Sequence, residues 1–352
     1  MDTITLDFET YYSREYSLSK ITTEEYINSP LFEVIGVAVK VNANPTEWFS
    51  GSKSDVTKWL SGFDWANSMV IIHNGLFDAA ILAWQFNIYP KAIVCTLCMG
   101  RGLHGTEVGN SLAKLSAYYN LGAKGTEVVN ALGKRRVDFT PGELAAYSSY
   151  CINDVDLTYA LFNTLLPMYQ MSELKLIDMT IKMFTTPTLV LDADLLSEHL
   201  DDVITAKDSL LERCGLSVES LMSNDKLAAA LTQLGIEPPT KISLATGKTS
   251  WAFAKTDEVF KDLLNHDNPD VQAIVAARLG VKSTLEESRT MRFLDIARRP
   301  MRGAYLPVPL KYYGAVTGRF AGEDKINLQN ITRGSKLKQA IKAVSYTHLR
   351  AH

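Results

Sequence analysis

From residue 1 to about 170, short apolar runs alternate with helical repeats. Apolar and polar positions alternate in "TITLDF", which predicts a strand, while "FEVIGVAVKV" predicts a second and "SMVIIHN" a short buried third. "FDAAILAWQFNI" has helical spacing, and "NSLAKLSAYYNLG" predicts a helix capped by Asn110 or Ser111 and ending at Gly122. The next helix has the clearest start, because Thr140, Pro141 and Glu143 make a capping box with proline in the first turn. It runs to about Leu166, before Pro167. Strands interleaved with helices predict an α/β domain.

From about 171 to 300 the pattern turns almost wholly helical. "LLSEHLDDVITAKDSLLERCG", "SNDKLAAALTQLG", "TDEVFKDLL" and "NPDVQAIVAARLGVKSTLEESRTMRFLDIA" are amphipathic. "TPTLVLD" and "IEPPTKISLATGKTS" read as the loops between them. Beyond Pro300, "GAYLPVPLKYYGAVTGRFAGEDKINLQNI" returns to strands and glycine-rich turns, and no internal repeat is present.

A chain of 352 residues implies two or three domains. Every apolar run is cut by charge before it reaches membrane-span length, so no membrane partner is expected. The N-terminus lacks the basic-then-apolar layout of a signal peptide, which points to the cytoplasm. Cys95 and Cys98 form a lone C-x-x-C, better read as buried thiols than as half of a zinc site. Net charge is −3, but residues 282–343 hold 13 Lys/Arg against 5 Asp/Glu. An acidic front joined to a basic end suits metal ions at one place and phosphates at another.

The first strand ends in Asp7 and Glu9. Side chains alternate along a strand, so these two carboxylates share a face while Phe8 points into the opposite layer. Such a pair repels itself unless a cation sits between the oxygens, and hard oxygen ligands suit Mg²⁺ or Mn²⁺. Two more stretches add to it: Asn74-x-x-x-Asp78, where a buried strand meets a helix, and Tyr150-x-x-x-Asp154 within the capped helix. Residues four apart share a helical face, whereas Asp156 should face away from Asp154.

In that order the three stretches resemble the exonuclease motifs of the DEDD superfamily in its tyrosine form, over roughly residues 1–165. The resemblance implies a ribonuclease H-like mixed sheet flanked by helices. It further implies two divalent metal ions, Mg²⁺ or Mn²⁺, held by Asp7, Glu9, Asp78 and Asp154. Asp7 would bridge both ions, Glu9 and Asp154 would hold the one carrying the nucleophilic water, and Asp78 would anchor the second. Tyr150 would position the water, while Thr10, Phe77 and Asn74 would meet the 3′-terminal nucleotide.

"YYGAVTGRFAGEDKINLQNI" resembles the early palm of family A DNA polymerases of the phage type: Thr317-Gly318-Arg319 match one motif and Asn327 to Ile331 a second, with Thr332 where proline is usual. That resemblance implies an exonuclease domain over 1–170, a helical thumb-like region over 171–300 and the start of a palm over 301–343. It implies primer-template DNA as partner, with Arg319, Gln329 and Asn330 at the minor groove near the primer end and Lys282, Arg289 and Arg333 on phosphates. The polymerase aspartate motifs do not follow. After Ala343 comes "VSYTHLRAH", which reads as a non-native tail over 344–352, so nucleotide addition is not expected. A monomer in a bacterial or phage-infected cytoplasm is the expectation.

A ribonuclease D-like RNA exonuclease and a passive nucleic-acid-binding fragment are the alternative readings. "GRGLHG" satisfies G-x-G-x-x-G, but the helix is expected only near Ser111 and no acid follows at the right distance. "ATGKTS" lacks the first glycine of a phosphate loop, and His73 reads as a packing residue.

Overall fold

Strand β1 (Thr3–Thr10) buries Ile4, Leu6 and Phe8 on one side and turns Thr5, Asp7 and Glu9 to the other. It is the middle strand of a five-stranded mixed sheet ordered β3-β2-β1-β4-β5, with β2 at Val34–Val41, β3 at Glu47–Phe49, β4 at Met69–Ile72 and β5 at Ala92–Cys95. The pairs β1/β2 and β2/β3 are antiparallel, whereas β1/β4 and β4/β5 are parallel. Around the sheet lie α1 (Thr23–Asn28), α2 (Lys53–Leu60), α3 (Gly75–Phe86), α4 (Thr96–His104), α5 (Leu112–Tyr118), α6 (Pro141–Leu165) and α7 (Met171–Thr185). This mixed sheet with flanking helices is the α/β, ribonuclease H-like arrangement expected for the front of the chain.

Opposite faces of β1 meet different helices. Phe8 stacks on Phe86 of α3, with ring centroids 5.8 Å apart and planes at 6°. The Asp7–Glu9 face meets α6, whose buried stripe includes Tyr147, Tyr150, Cys151, Asp154, Thr158 and Leu161. Thr140 and Glu143 close both halves of the capping box, with Pro141 in the first turn, and the helix ends at Leu165. Glycine is required at Gly36, the partner of Glu9 in β2, because a Cβ there would collide with the indole of Trp48.

This computed structural model describes residues 1–125, 131–243, 247–282, 285–299 and 304–343. They form two compact units, the first containing Met1–Leu189 with Leu306–Ile331, the second Val190–Tyr305 with residues from Thr332 on. Neither division coincides with the limits at 170 and 300 that the patterning suggests. Within the first unit, Tyr312 is buried in the core and its hydroxyl donates to Glu173 Oε2 of α7 at 2.5 Å. Asp324 accepts from the backbone N–H of Thr23 at 2.6 Å and of Glu24 at 3.2 Å, satisfying donors at the start of α1.

The second unit is built mainly from α8 (Ala193–Cys214), α9 (Val218–Met222), α10 (Asn224–Gln233), α11 (Glu258–Asp262), α12 (Pro269–Lys282) and α13 (Leu285–Ala297). Leu221, Leu227, Leu231, Phe253, Phe260 and Val275 lie in its core. Arg278 is buried there, held by Asn224 Oδ1 at 2.6 Å and by the carbonyl of Leu221. Lys207 and Glu287, 3.0 Å apart, tie α8 to α13.

Several local expectations change. The long pattern from Asn268 to Ala297 is helical over its described residues, as α12 and α13. Strands Thr240–Ile242 and Thr249–Trp251, which pair antiparallel, begin within "IEPPTKISLATGKTS", and "TPTLVLD" holds the short strand Leu189–Leu191. The helix α5 is capped by Ser111 and ends at Tyr118, four residues before Gly122. Gly100 and Gly102 lie inside α4 and Gly105 (φ +58°) ends it, so "GRGLHG" closes a helix instead of opening one. The expected tail falls outside the described residues. Among the described residues no helix is long and apolar enough to cross a membrane.

Candidate active site

Three elements bring carboxylates to one end of the sheet. Strand β1 supplies Asp7 and Glu9, and its register with β2 shifts between Glu9 and Thr10. Such a bulge re-aims side chains where pairing is interrupted. Asn74, at the end of the loop after β4, takes the left-handed conformation (φ +65°) and starts α3, which places Asp78 in the first turn. There Asp78 is buried, and its Oδ1 accepts the backbone N–H of Phe8 at 3.0 Å. It is thus fastened to the strand between Asp7 and Glu9 rather than merely favoured by a helix start. Asp154 comes from α6, while Asp156 points away into an exposed pair with Lys40 at 3.0 Å.

One ligand atom each from Asp7, Glu9 and the Cys151 thiol lie within 4.8 Å of one another. Tyr147 donates its hydroxyl to Glu9 Oε2, and Cys151 Sγ stands 3.7 Å from Asp7 Oδ2. The ammonium of Lys124 pairs with Asp154 Oδ2 and lies over the ring of Tyr150, 4.7 Å from its centroid.

Crowding of like charges out of water sets the electrostatics. Burial, then the charge of Asp154, pushes Asp7 up to about 7, against the pull of Lys124. Burial and then Asp7 hold Glu9 well above its ordinary range, opposed by the Tyr147 hydroxyl. Asp78 is raised by burial and by Asp7, opposed by the Phe8 N–H. Burial, Asp154 and Glu9 likewise raise the Tyr150 phenol, so at neutral pH it remains protonated.

These shifts fix a sign for stability. A carboxyl whose pKa is higher folded than unfolded stabilises the fold at low pH and loses that contribution as pH rises through the folded value. For Asp7 the window runs from about 4 to about 7. In chelator, wild type should therefore lose Tm relative to Asp7→Asn across this window, by on the order of 5 °C. Parallel melting profiles for the two proteins would contradict it.

Thr10 is buried and its Oγ1 lies 2.9 Å from the hydroxyl of Tyr26, whose ring is 5.7 Å from that of Phe77. Asn74 is exposed beside them on the same turn. His73 packs, its Nδ1 2.9 Å from Thr96 Oγ1, and burial followed by the charge of Lys124 pushes it down to about 4. Arg319, Gln329 and Asn330 are exposed in the first unit, with Arg319 Nε donating to Thr317 Oγ1 at 3.2 Å. Half-buried Arg289 and exposed Arg333 belong to the second unit; the side chain of Lys282 is outside the described residues.

Sequence reasoning missed Lys124, Tyr147 and Cys151 as members of this site. Tyr147 sits three residues before Tyr150 and Cys151 three before Asp154, so the helical spacing that links Tyr150 to Asp154 also reaches them. No such pattern marks Lys124, which lies on the loop after α5.

The donor set fits hard divalent cations. Four carboxylates at one place repel one another, and Asp7, Glu9 and Asp78 sit above their ordinary pKa values, a cost that a cation removes. Cys151 adds little, since burial and Asp7 keep its thiol protonated. The oxygens of Asp7, Glu9, Asp78 and Asp154 are therefore the candidate ligands.

Comparison with known proteins gives a family match over part of the chain and a likeness of fold over most of it. Residues 58–170 match the family model for the 3′–5′ exonuclease of family A DNA polymerases. Among solved structures the chain is similar to the POL domain of Pol1 from M. smegmatis in complex with DNA primer-template and dNTP, at 14% identity and a TM-score of 0.57. That match covers 96% of this chain and 54% of the other, so the chain spans about half its length. No curated protein sequence matches.

Proposed function

We propose that this chain is a divalent-metal-dependent 3′–5′ exonuclease acting on DNA, the proofreading part of a phage-type family A DNA polymerase. The observation that carries the reading is the meeting of Asp7, Glu9, Asp78 and Asp154, from three separated segments, at one end of the sheet. The exonuclease family match supports the reaction class, and the likeness to a polymerase domain solved with primer-template supports DNA as the partner.

In this reading Asp7, Glu9, Asp78 and Asp154 would hold the divalent ions, Asp7, Glu9 and Asp154 toward the one carrying the attacking water and Asp78 toward the other. A pair of bound divalent ions supplies an activated water and neutralises charge on the attacking and leaving oxygens of an in-line displacement at phosphorus. The protein's own groups do the rest. Tyr147 fixes one oxygen of Glu9, and the Phe8 N–H fixes one oxygen of Asp78, so neither carboxylate turns freely. Tyr150, held protonated, is a hydrogen-bond donor that orients the attacking water and not the base that deprotonates it. Thr10, Phe77 and Asn74 flank the site where a 3′-terminal nucleotide would lie.

By the same reading, residues 1–170 are the exonuclease domain, 171–300 thumb-like and 301–343 the beginning of a palm. Arg319, Gln329 and Asn330 then meet the minor groove, and Lys282, Arg289 and Arg333 meet phosphates. The test is digestion of labelled single-stranded DNA and RNA of one sequence by the full chain, with Mg²⁺, Mn²⁺ or chelator. We expect stepwise shortening of DNA from its 3′ end, faster than of RNA, and none in chelator. Faster RNA digestion would favour a ribonuclease D-like enzyme, and metal-independent or absent digestion would overturn the assignment.

A further inference from the structure

Among the described residues, the ammonium of Lys124 brings a positive charge into the carboxylate cluster. It contacts Asp154 directly and its charge reaches Asp7 and Glu9. The backbone that carries it is fastened to α6, because Asn153 Nδ2 donates to the Ala123 carbonyl at 3.1 Å. Gly122 (φ +131°) turns the chain there, where a Cβ would come within 3.3 Å of Leu157. The anchored loop presents a side chain that is still 28% exposed on four flexible methylenes, so its charged end can leave without moving the backbone. Asp154 is nearly enclosed, by contrast, with 5% side-chain exposure. A fixed anion and a retractable cation make an exchangeable pair.

We propose that Lys124 is a resident counter-ion that neutralises the carboxylate site in the absence of metal and withdraws from Asp154 when a divalent cation binds. The inference rests on the metal-dependent reading above and adds a setting for metal affinity. Lys124 competes with the cation for Asp154, and its charge also repels any ion held by Asp7 and Glu9. Both effects weaken binding, so removing the charge tightens it.

The test is a direct Mn²⁺ titration of the full chain, followed by the electron paramagnetic resonance of unbound Mn²⁺, with Lys124→Met and Lys124→Arg as variants. Loss of one charge a few ångströms from the ion predicts Lys124→Met binding about tenfold tighter than wild type. Lys124→Arg keeps the charge and should stay within about threefold. Metal-free Lys124→Met should also melt below wild type at neutral pH and gain more Tm from saturating Mn²⁺. Unchanged or weaker Mn²⁺ binding by Lys124→Met would overturn the proposal and leave Lys124 as a simple brace for Asp154. Failure of wild type to bind Mn²⁺ saturably would instead remove the metal-dependent reading itself.

Discussion

Asp7→Ala should reduce Mg²⁺-dependent shortening of 3′-labelled DNA by at least ~1,000-fold, in line with losing preorganised charge stabilisation at the reacting phosphate. The stability of the variant makes this a sharp test. Asp7 is a half-buried carboxylate raised to about 7 by burial and by Asp154, so in metal-free protein at neutral pH it costs stability rather than adding to it. Its removal should leave Tm in chelator equal to or above wild type. Loss of digestion together with an intact or higher Tm separates a chemical role from a folding defect. Digestion at the wild-type rate by Asp7→Ala would end the assignment of this cluster.

Asp78 offers a second large effect with two separable parts. Its Oδ1 accepts the buried N–H of Phe8 at 3.0 Å, and its charge sits among Asp7 and Glu9. Asp78→Asn keeps an acceptor and drops the charge, whereas Asp78→Ala drops both. Leaving the Phe8 N–H unsatisfied costs about 1–3 kcal/mol, so the alanine variant should unfold below the asparagine variant by that amount in denaturant. Both variants should digest DNA at least ~100-fold more slowly, since neither retains the ligand charge. Equal stability of the two would mean that the bond to Phe8 contributes nothing. Full activity in Asp78→Asn would remove Asp78 from the metal site.

How far the chain could be read by eye depended on the range of each interaction. The capping box at Thr140 and Glu143 is local, and α6 begins where it says. Alternation along β1 is also local, and it put Asp7 and Glu9 on one face and Phe8 on the other. The 3.6-residue period placed Asp156 away from Asp154, as found. Short elements escaped notice because three or four residues cannot display a period: β3 is Glu47–Phe49 and β5 is Ala92–Cys95. The capping boxes at Thr22 with Glu25 and at Ser52 with Asp55 are local signals for the starts of α1 and α2. Lys124 was illegible for a different reason. It reaches Asp154 across 30 residues from a loop, and loops carry no repeat that aims a side chain.

The return of Leu306–Ile331 to the first unit bears on how the protein is made. Leu306 donates its backbone N–H to the Leu189 carbonyl at 2.9 Å, yet the whole of Val190–Tyr305 is synthesised between them. A nascent chain emerging as far as Leu189 therefore waits for Tyr312 and Asp324, the residues that cover α7 and cap α1. Until those residues are made, α7 lacks its bond from Tyr312 and the start of α1 lacks its acceptor at Asp324. Translation speed through the intervening helices thus sets how long those two partners are missing.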